Sequence, residues 1–109
     1  MSKHTPGPWL INRESEDVIE GKLSIESVNA ETQLSYFIAQ VDECKSQEAN
    51  ARLIAAAPEL LEACETLFRW LAAEDNHNLM PDFYERIALC NLAQEQARAA
   101  IAKAKGGRK

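Results

Sequence analysis

Asn50 and Arg52 place an amide and a guanidinium near the start of a predicted helix, within the Ala- and Leu-rich stretch 48–54. Side chains of these types near a helix N-terminus could bind a phosphate or a base edge, because the first backbone N–H groups there have no intrahelical partner. Asn is a poor helix former, so ligand binding is one reason for its presence. An ordinary capping network with a surface Arg is the alternative interpretation.

Aromatic side chains lie on the predicted strands. Trp9 and Phe37 are expected in the core. Tyr36 alternates with Phe37 and is therefore expected to be exposed, since successive side chains of a strand point to opposite faces. An exposed Tyr, with its apolar ring and polar hydroxyl, suits a stacking or interface role.

The sequence contains no recognisable catalytic or metal-binding motif. His4 and His77 have no Cys or His at ligand spacing, and the four glycines form no phosphate-binding loop. Glu59, Glu62 and Glu65 fall on one side of a predicted helix, which is typical of a solvated charged face. We therefore expect a protein that is not an enzyme and that needs no cofactor or metal.

The three cysteines are widely spaced, at positions 44, 64 and 90. This spacing predicts neither a disulfide framework nor a zinc site. Cys64 and Cys90 lie in apolar helical surroundings, where a thiol usually acts as a small core residue.

Charge is distributed unevenly. Residues 1–95 hold 7 basic and 17 acidic side chains, a net charge of −10, whereas residues 96–109 hold five basic side chains and no acid. The acidic body argues against binding to duplex nucleic acid. The basic end would complement a helix dipole, with residues 106–109 as a flexible tail. No apolar run is long enough for a membrane span or a secretory signal, so we expect an intracellular protein.

The hydrophobic periodicity changes from about 2 to about 3.6 near residue 46. Residues 5–42 predict three or four antiparallel strands, with Val18-Ile19 as a possible extra strand. Residues 46–73 and 81–104 predict helices, the first capped by Ser46 and the last opened by Pro81 and Asp82. Pro58 either kinks the first helical segment or begins a second helix. The fold class is α+β: a small sheet followed by a helical hairpin, in one domain spanning residues 1–105.

Two features predict a homo-oligomer. The sheet is small and has edges that need covering. The last helix also carries Leu89, Leu92 and Ala93 beside its inner stripe, a wider apolar arc than one sheet face requires. Association through a helix or through a sheet edge would cover these surfaces.

The chain resembles a widespread group of small phage and prophage accessory proteins. The resemblance rests on HTPGPW at residues 4–9, an Ile38-Ala39 strand and EANARLIAAAPELL at residues 48–61, and it covers residues 4–71. It implies a phage accessory role in the host cytoplasm and specifies no reaction.

The predicted architecture is also similar to that of the Thoeris anti-defence sponges. These oligomeric phage proteins sequester cyclic ADP-ribose-like and cyclic oligonucleotide signals, without cleaving them, in pockets between subunits. A pocket of this kind needs a guanidinium for phosphate and an aromatic face for the base. The likeness implies a nucleotide-type ligand but assigns no individual residue of this chain. By their chemistry, Asn50, Arg52, Tyr36 and Arg86 could supply these groups across a dimer.

Two functions follow as hypotheses. The first is a phage counter-defence protein that sequesters a host nucleotide signal at a subunit interface. The second is an acidic effector or nucleic-acid mimic whose −10 body blocks a basic surface on a host protein. A purely structural role in the virion is a third possibility.

Overall fold

The fold is α+β, as the sequence predicts. A computed structural model describes residues 4–12, 22–29, 31–32 and 34–106. Its elements are three strands and three helices: β1 (Trp9–Asn12), β2 (Leu23–Val28), β3 (Ser35–Val41), α1 (Gln47–Ala55), α2 (Ala57–Asp75) and α3 (Phe83–Ala104). The possible strand at Val18-Ile19 and the tail residues 107–109 lie outside the described residues.

The three strands form an antiparallel meander in the order β1-β2-β3. Ile25 at the centre of β2 is fully buried and faces Ile11 of β1 and Ala39 of β3. The segment before β1 is tied to the sheet, because the Ser27 hydroxyl donates a hydrogen bond of 2.7 Å to the Pro6 carbonyl. One face of this small sheet therefore carries the apolar side chains that α1 covers.

A β-bulge in β3 reverses the expected side-chain alternation. Ile25 pairs with Ala39 but Glu26 pairs with Phe37, so Ile38 is an extra residue in the ladder. Phe37 consequently shares the outer face with Glu26 and is 63% exposed. Its predicted place in the core is wrong, because a bulge moves every side chain beyond it to the other face.

The helical segment after residue 46 is divided into α1 and α2 at Ala56. Pro58 lies in the first turn of α2, where its missing N–H costs nothing, and so belongs to the start of a new helix. Ser46 precedes α1 and its carbonyl accepts from the Asn50 N–H at 2.8 Å, but its side chain makes no capping hydrogen bond.

The antiparallel helices α2 and α3 form the long arm of the molecule. Asp82 caps α3 as expected: its carboxylate accepts from the Tyr84 N–H at 2.8 Å. Small residues fill the seam between the helices, including Ala63 on α2 and Ala93 on α3, which allows the two backbones to approach closely.

The principal core lies between the sheet and α1. Its buried members are Ile25, Val41, Ala51 and Ala55. Cys64 is exposed on α2, so its predicted burial is wrong, while Cys90 is half-buried on α3. Every helix in the described part of the chain falls short of the length and apolar character needed to span a bilayer.

Candidate ligand-binding cleft

The helix α1 positions Arg52 at the joint between the sheet and the end of α3. Ala51 and Ala55 are one helical turn apart and face the sheet core, which fixes the rotation of α1. Arg52 follows Ala51 and therefore turns about 100° away, toward β1 and α3. The direction of the Arg52 side chain thus follows from the burial of Ala51 and Ala55 against the sheet.

The Arg52 side chain is partly enclosed. About a third of it (35%) is exposed, and its Nη1 lies 3.7 Å from Glu48 Oε2, one turn earlier on α1. Its Nε is buried and has no hydrogen-bond partner among the described residues. A buried donor without a partner is costly to the fold.

Gly106 packs directly on this guanidinium. A Cβ atom at position 106 would lie 3.1 Å from Arg52 Cδ and 3.2 Å from Nε, closer than ordinary packing allows. Gly106 also has a φ of +98°, a left-handed conformation that side chains disfavour. A side chain at position 106 would therefore require the Arg52 side chain to shift.

An open cleft of about 340 Å³ lies between β1, α1 and the end of α3. Its lining residues are Trp9, Leu10, Ile11, Arg52, Ala55 and Lys103. The Trp9 indole Nε1 donates to the Thr5 carbonyl at 3.1 Å, which fixes the ring. The volume lies in the range of small-molecule sites.

The cleft combines two cations with an indole. Lys103 Nζ forms an ion pair of 3.0 Å with Glu59 Oε2 across the α2–α3 seam, so its ammonium has a fixed position. A guanidinium and an ammonium can hold a phosphate or another anion, and an indole face can stack on a planar base. The arrangement suits recognition of an anionic, partly aromatic small molecule.

The structure does not bring Asn50 to this cleft. Asn50 is exposed, and its Nδ2 lies 3.9 Å from Cys44 Sγ on the loop before α1. Residues two apart on a helix point to nearly opposite sides, so Asn50 and Arg52 cannot converge on one ligand from a single chain.

Tyr36 lies outside the cleft, on the opposite edge strand. It is half exposed, which agrees with the expectation from sequence. Trp9 and Tyr36 both pair with Ser27, so they share one face of the sheet, two strands and about 10 Å apart. The strand β2 separates Tyr36 from Arg52.

Arg86 is distant from the cleft and has a structural role. Only 7% of the residue is exposed, and its Nη1 donates to the carbonyls of Met80 and Pro81 at 2.8 and 2.9 Å. Its Nε lies 3.5 Å from Glu74 Oε2. Arg86 closes the α2–α3 loop, about 26 Å along α3 from Lys103.

Trp9 and Lys103 are the cleft residues that sequence reasoning missed. Trp9 packs against the core cluster and Lys103 lies in the last turn of α3, both as expected. Their residue types do not indicate that they line one cleft, because they are more than 90 positions apart in the sequence. The basic run after residue 95 is a signal for Lys103, but only the packing of α1 against both β1 and α3 shows that it lines one cleft with Trp9. Among the described residues, no group of three or more His, Cys, Asp or Glu side chains is placed to hold a metal ion.

The comparison with family models matches residues 1–108 to the family described as Salmonella phage P22 protein Y8K6. Neither the comparison with curated proteins nor that with solved structures gave a match. The phage resemblance is therefore supported at the level of the family, whereas the likeness to the Thoeris anti-defence sponges finds no support in the comparisons.

Proposed function

Because the chain belongs to the family of Salmonella phage P22 protein Y8K6, we propose that it acts in the cytoplasm of the infected host as a non-enzymatic binding protein. Its ligand is a nucleotide-type signal of the host, a cyclic nucleotide or a cyclic ADP-ribose-type molecule. Sequestration of that signal would serve the phage as counter-defence.

One observation carries this proposal: Arg52, Lys103 and Trp9 line a single cleft. Phosphate groups would take the two cations, and a base would stack on the indole. About a third of the Arg52 side chain (35%) is exposed, so the guanidinium can reach a phosphate in the cleft. The lining offers no nucleophile paired with a base, which favours holding a ligand over cleaving it.

The proposed site is formed by one chain, in contrast to the expectation of a pocket between subunits. Asn50 and Tyr36 remain predicted contributors only if a second subunit carries them to the ligand. Both are exposed, at positions separate from the cleft.

Isothermal titration calorimetry with cyclic ADP-ribose isomers and cyclic dinucleotides tests the proposal. At least one of these should bind, and Arg52→Ala and Lys103→Ala should each weaken it about tenfold or more, as expected for a lost charge-assisted hydrogen bond. Arg69→Ala, an exposed cation of α2 outside the cleft, is the matched control. Absence of heat with every ligand, or wild-type affinity in Arg52→Ala, would retire the proposal.

A second function is favoured by a different surface. A second cleft, of about 350 Å³, carries three acidic side chains. Its lining residues are His4, Gly7, Pro8, Pro58, Glu59, Leu61, Glu62 and Glu65. Glu59 is ion-paired with Lys103, but the exposed carboxylates of Glu62 and Glu65 could dock a basic patch of a host protein.

Capture of a host protein from lysate by this acidic wall should weaken as salt rises, and Glu62→Gln with Glu65→Gln should abolish it. Glu31→Gln, in the exposed β2–β3 turn, is the control. Capture that survives both high salt and the double substitution would exclude this second function.

A further inference from the structure

The strand β3 forms one edge of the sheet, and its first half is open to solvent. Its seven residues change from exposed at Ser35–Phe37 to buried at Val41. The later half packs against the core that α1 covers, and the Gln47 side chain donates to the Val41 carbonyl at 3.1 Å. Tyr36 is 51% exposed and Phe37 is 63% exposed. The open half of the edge therefore presents one aromatic ring on each face of the sheet.

Two residues of this edge have backbone groups that point away from the sheet. The Asn29 N–H donates to the Leu34 carbonyl at 2.8 Å, so these two residues form a hydrogen-bonded pair. Along an antiparallel ladder, such pairs alternate with pairs whose N–H and C=O groups point outward. Ser35 and Phe37 are therefore the outward residues. Among the described residues, none outside the sheet hydrogen-bonds to their backbone groups.

The open half of β3 lacks the features that usually prevent strand addition. Natural edge strands are protected by charged side chains, prolines or bulges. Residues 35–41 include no charged residue and no proline. The bulge at Ile38 disturbs the ladder only beyond Phe37, so it limits an added strand to the segment 34–38. The partner that fits this edge is an extended backbone, because its N–H and C=O groups can satisfy the outward groups of β3.

We propose that this partner is β3 of a second copy, paired in antiparallel orientation around a two-fold axis at Tyr36. The outward residues Ser35 and Phe37 are two positions apart, a spacing that a two-fold axis at the residue between them makes self-complementary. Ser35 of each chain then lies opposite Phe37 of the other. Each of the two pairs exchanges two hydrogen bonds, so all the outward groups of these residues are satisfied. The two three-stranded sheets join into one six-stranded sheet.

The side chains at this joint are compatible with the pairing. Tyr36 lies opposite its counterpart in the closely spaced type of pair, where aromatic cross-strand contacts are stabilising. Ser35 lies beside Phe37 of the other chain on the opposite face of the sheet, so the larger ring meets a small side chain. Tyr36 thus receives an interface role, which its ring and hydroxyl suit. The dimer does not depend on the ligand proposal, because β3 and the cleft beside β1 lie at opposite edges of the sheet.

No charged side chain lies inside the paired segment 34–38. Glu26, on the same face as Phe37, belongs to β2, and the two β2 strands of the dimer are three strand spacings, about 14 Å, apart. That separation exceeds the screening length of about 8 Å at physiological ionic strength. Glu31, in the turn before β3, and the acidic residues 42–43 after it lie outside the segment. The paired strands therefore bring no like charges together.

Exchange of charges at Tyr36 tests the two-fold axis. Sedimentation equilibrium of the full chain should show a reversible dimer at concentrations up to about 1 mM, because a short strand joint is a small interface. Tyr36→Lys and Tyr36→Glu should each weaken the dimer about tenfold or more, since like charges become direct cross-strand neighbours. An equimolar mixture of the two variants should associate again, because the opposed charges then attract.

Leu53→Lys, at a similarly exposed residue on α1, is the control and should dimerise as the wild type does. A wild type that stays monomeric over this range would overturn the proposal. So would charged variants that dimerise normally, or a mixture that associates no better than either variant alone.

Cysteine cross-linking tests the register of the pairing. In a chain with Cys44, Cys64 and Cys90 replaced by Ser, Tyr36→Cys places two thiols in a pair whose Cα atoms are about 4.5 Å apart, within reach of a disulfide. Ser35→Cys is the matched control, because its counterpart lies diagonally, about 7–8 Å away, beyond that reach. Oxidation should cross-link Tyr36→Cys chains in preference to Ser35→Cys chains. Equal cross-linking, or a preference for Ser35→Cys, would contradict pairing centred on Tyr36 even if the charged variants fail to fold.

Discussion

Arg52 and Gly106 depend on each other at the scale of single residues. The guanidinium keeps a buried Nε because the chain at Gly106 passes over it without a side chain. The glycine is required twice, by its positive φ and by its contact with Arg52. The position of the Arg52 guanidinium in the cleft therefore depends on the glycine at position 106.

Gly106→Ala should lower the free energy of unfolding by about 1 kcal/mol, because it adds left-handed strain and a close contact. It should also weaken ligand binding by displacing Arg52. Chemical denaturation together with calorimetry checks both effects, and Lys105→Ala is the neighbouring control. An unchanged midpoint and affinity would show that Gly106 does not cover Arg52.

Arg86 illustrates how a residue type suited to ligands can serve the fold. Arg86→Ala removes two hydrogen bonds to loop carbonyls and an ion pair in a buried setting, so stability should fall by about 2–3 kcal/mol. Arg69→Ala should fall within about 0.5 kcal/mol of wild type. In the folded fraction, Arg86→Ala should retain full ligand affinity; a selective loss of affinity with normal stability would return Arg86 to the binding site.

At the scale of elements, helix starts show which sequence signals are used. Both Ser46 and Asp82 are good N-cap types, but only Asp82 accepts from the helix, through Tyr84 N–H. Ser46 precedes a short helix whose position is set by packing on the sheet. A capping residue in the sequence is thus not sufficient for a capping hydrogen bond, and α2, whose N-cap is Ala56, begins without one.

Asp82→Ala should therefore destabilise the chain by about 1 kcal/mol through loss of the α3 cap. Ser46→Ala, the matched substitution at the other helix start, should change stability by less than about 0.5 kcal/mol. Thermal unfolding of the two variants in parallel gives the comparison. Equal losses of stability in the two variants would contradict the claim that only Asp82 caps its helix.

The order of elements could be predicted from sequence, but two local events could not. The change of periodicity near residue 46 separates the sheet from the helices, and each described element follows from it. The bulge at Ile38 leaves no mark in an apolar run, so Phe37 was assigned to the wrong face. The break at Ala56 was visible only as the ambiguity of Pro58, since proline suits both a kink and a first turn.

At the scale of the whole molecule, the cleft is a product of packing between distant segments. Arg52 was predictable as a candidate because its cation stands out in an Ala-rich helix. Trp9 and Lys103, which line the cleft with it, come from the two ends of the chain, and α1 packs against both β1 and α3 and so unites them. Asn50 and Arg86 are candidate ligand-binding residues by residue type alone. The fold places Asn50 near Cys44 and Arg86 against the α2–α3 loop, both outside the cleft.

The most direct test of the ligand cleft uses the Trp9 ring itself. The chain has two tryptophans, so Trp70→Phe leaves Trp9 as the sole indole reporter. Titration with cyclic ADP-ribose isomers and cyclic dinucleotides should change its fluorescence saturably with at least one ligand, and the added substitution Arg52→Ala should remove that response. Calorimetric binding with no change at Trp9, or a response that persists without Arg52, would contradict a site built from these two residues.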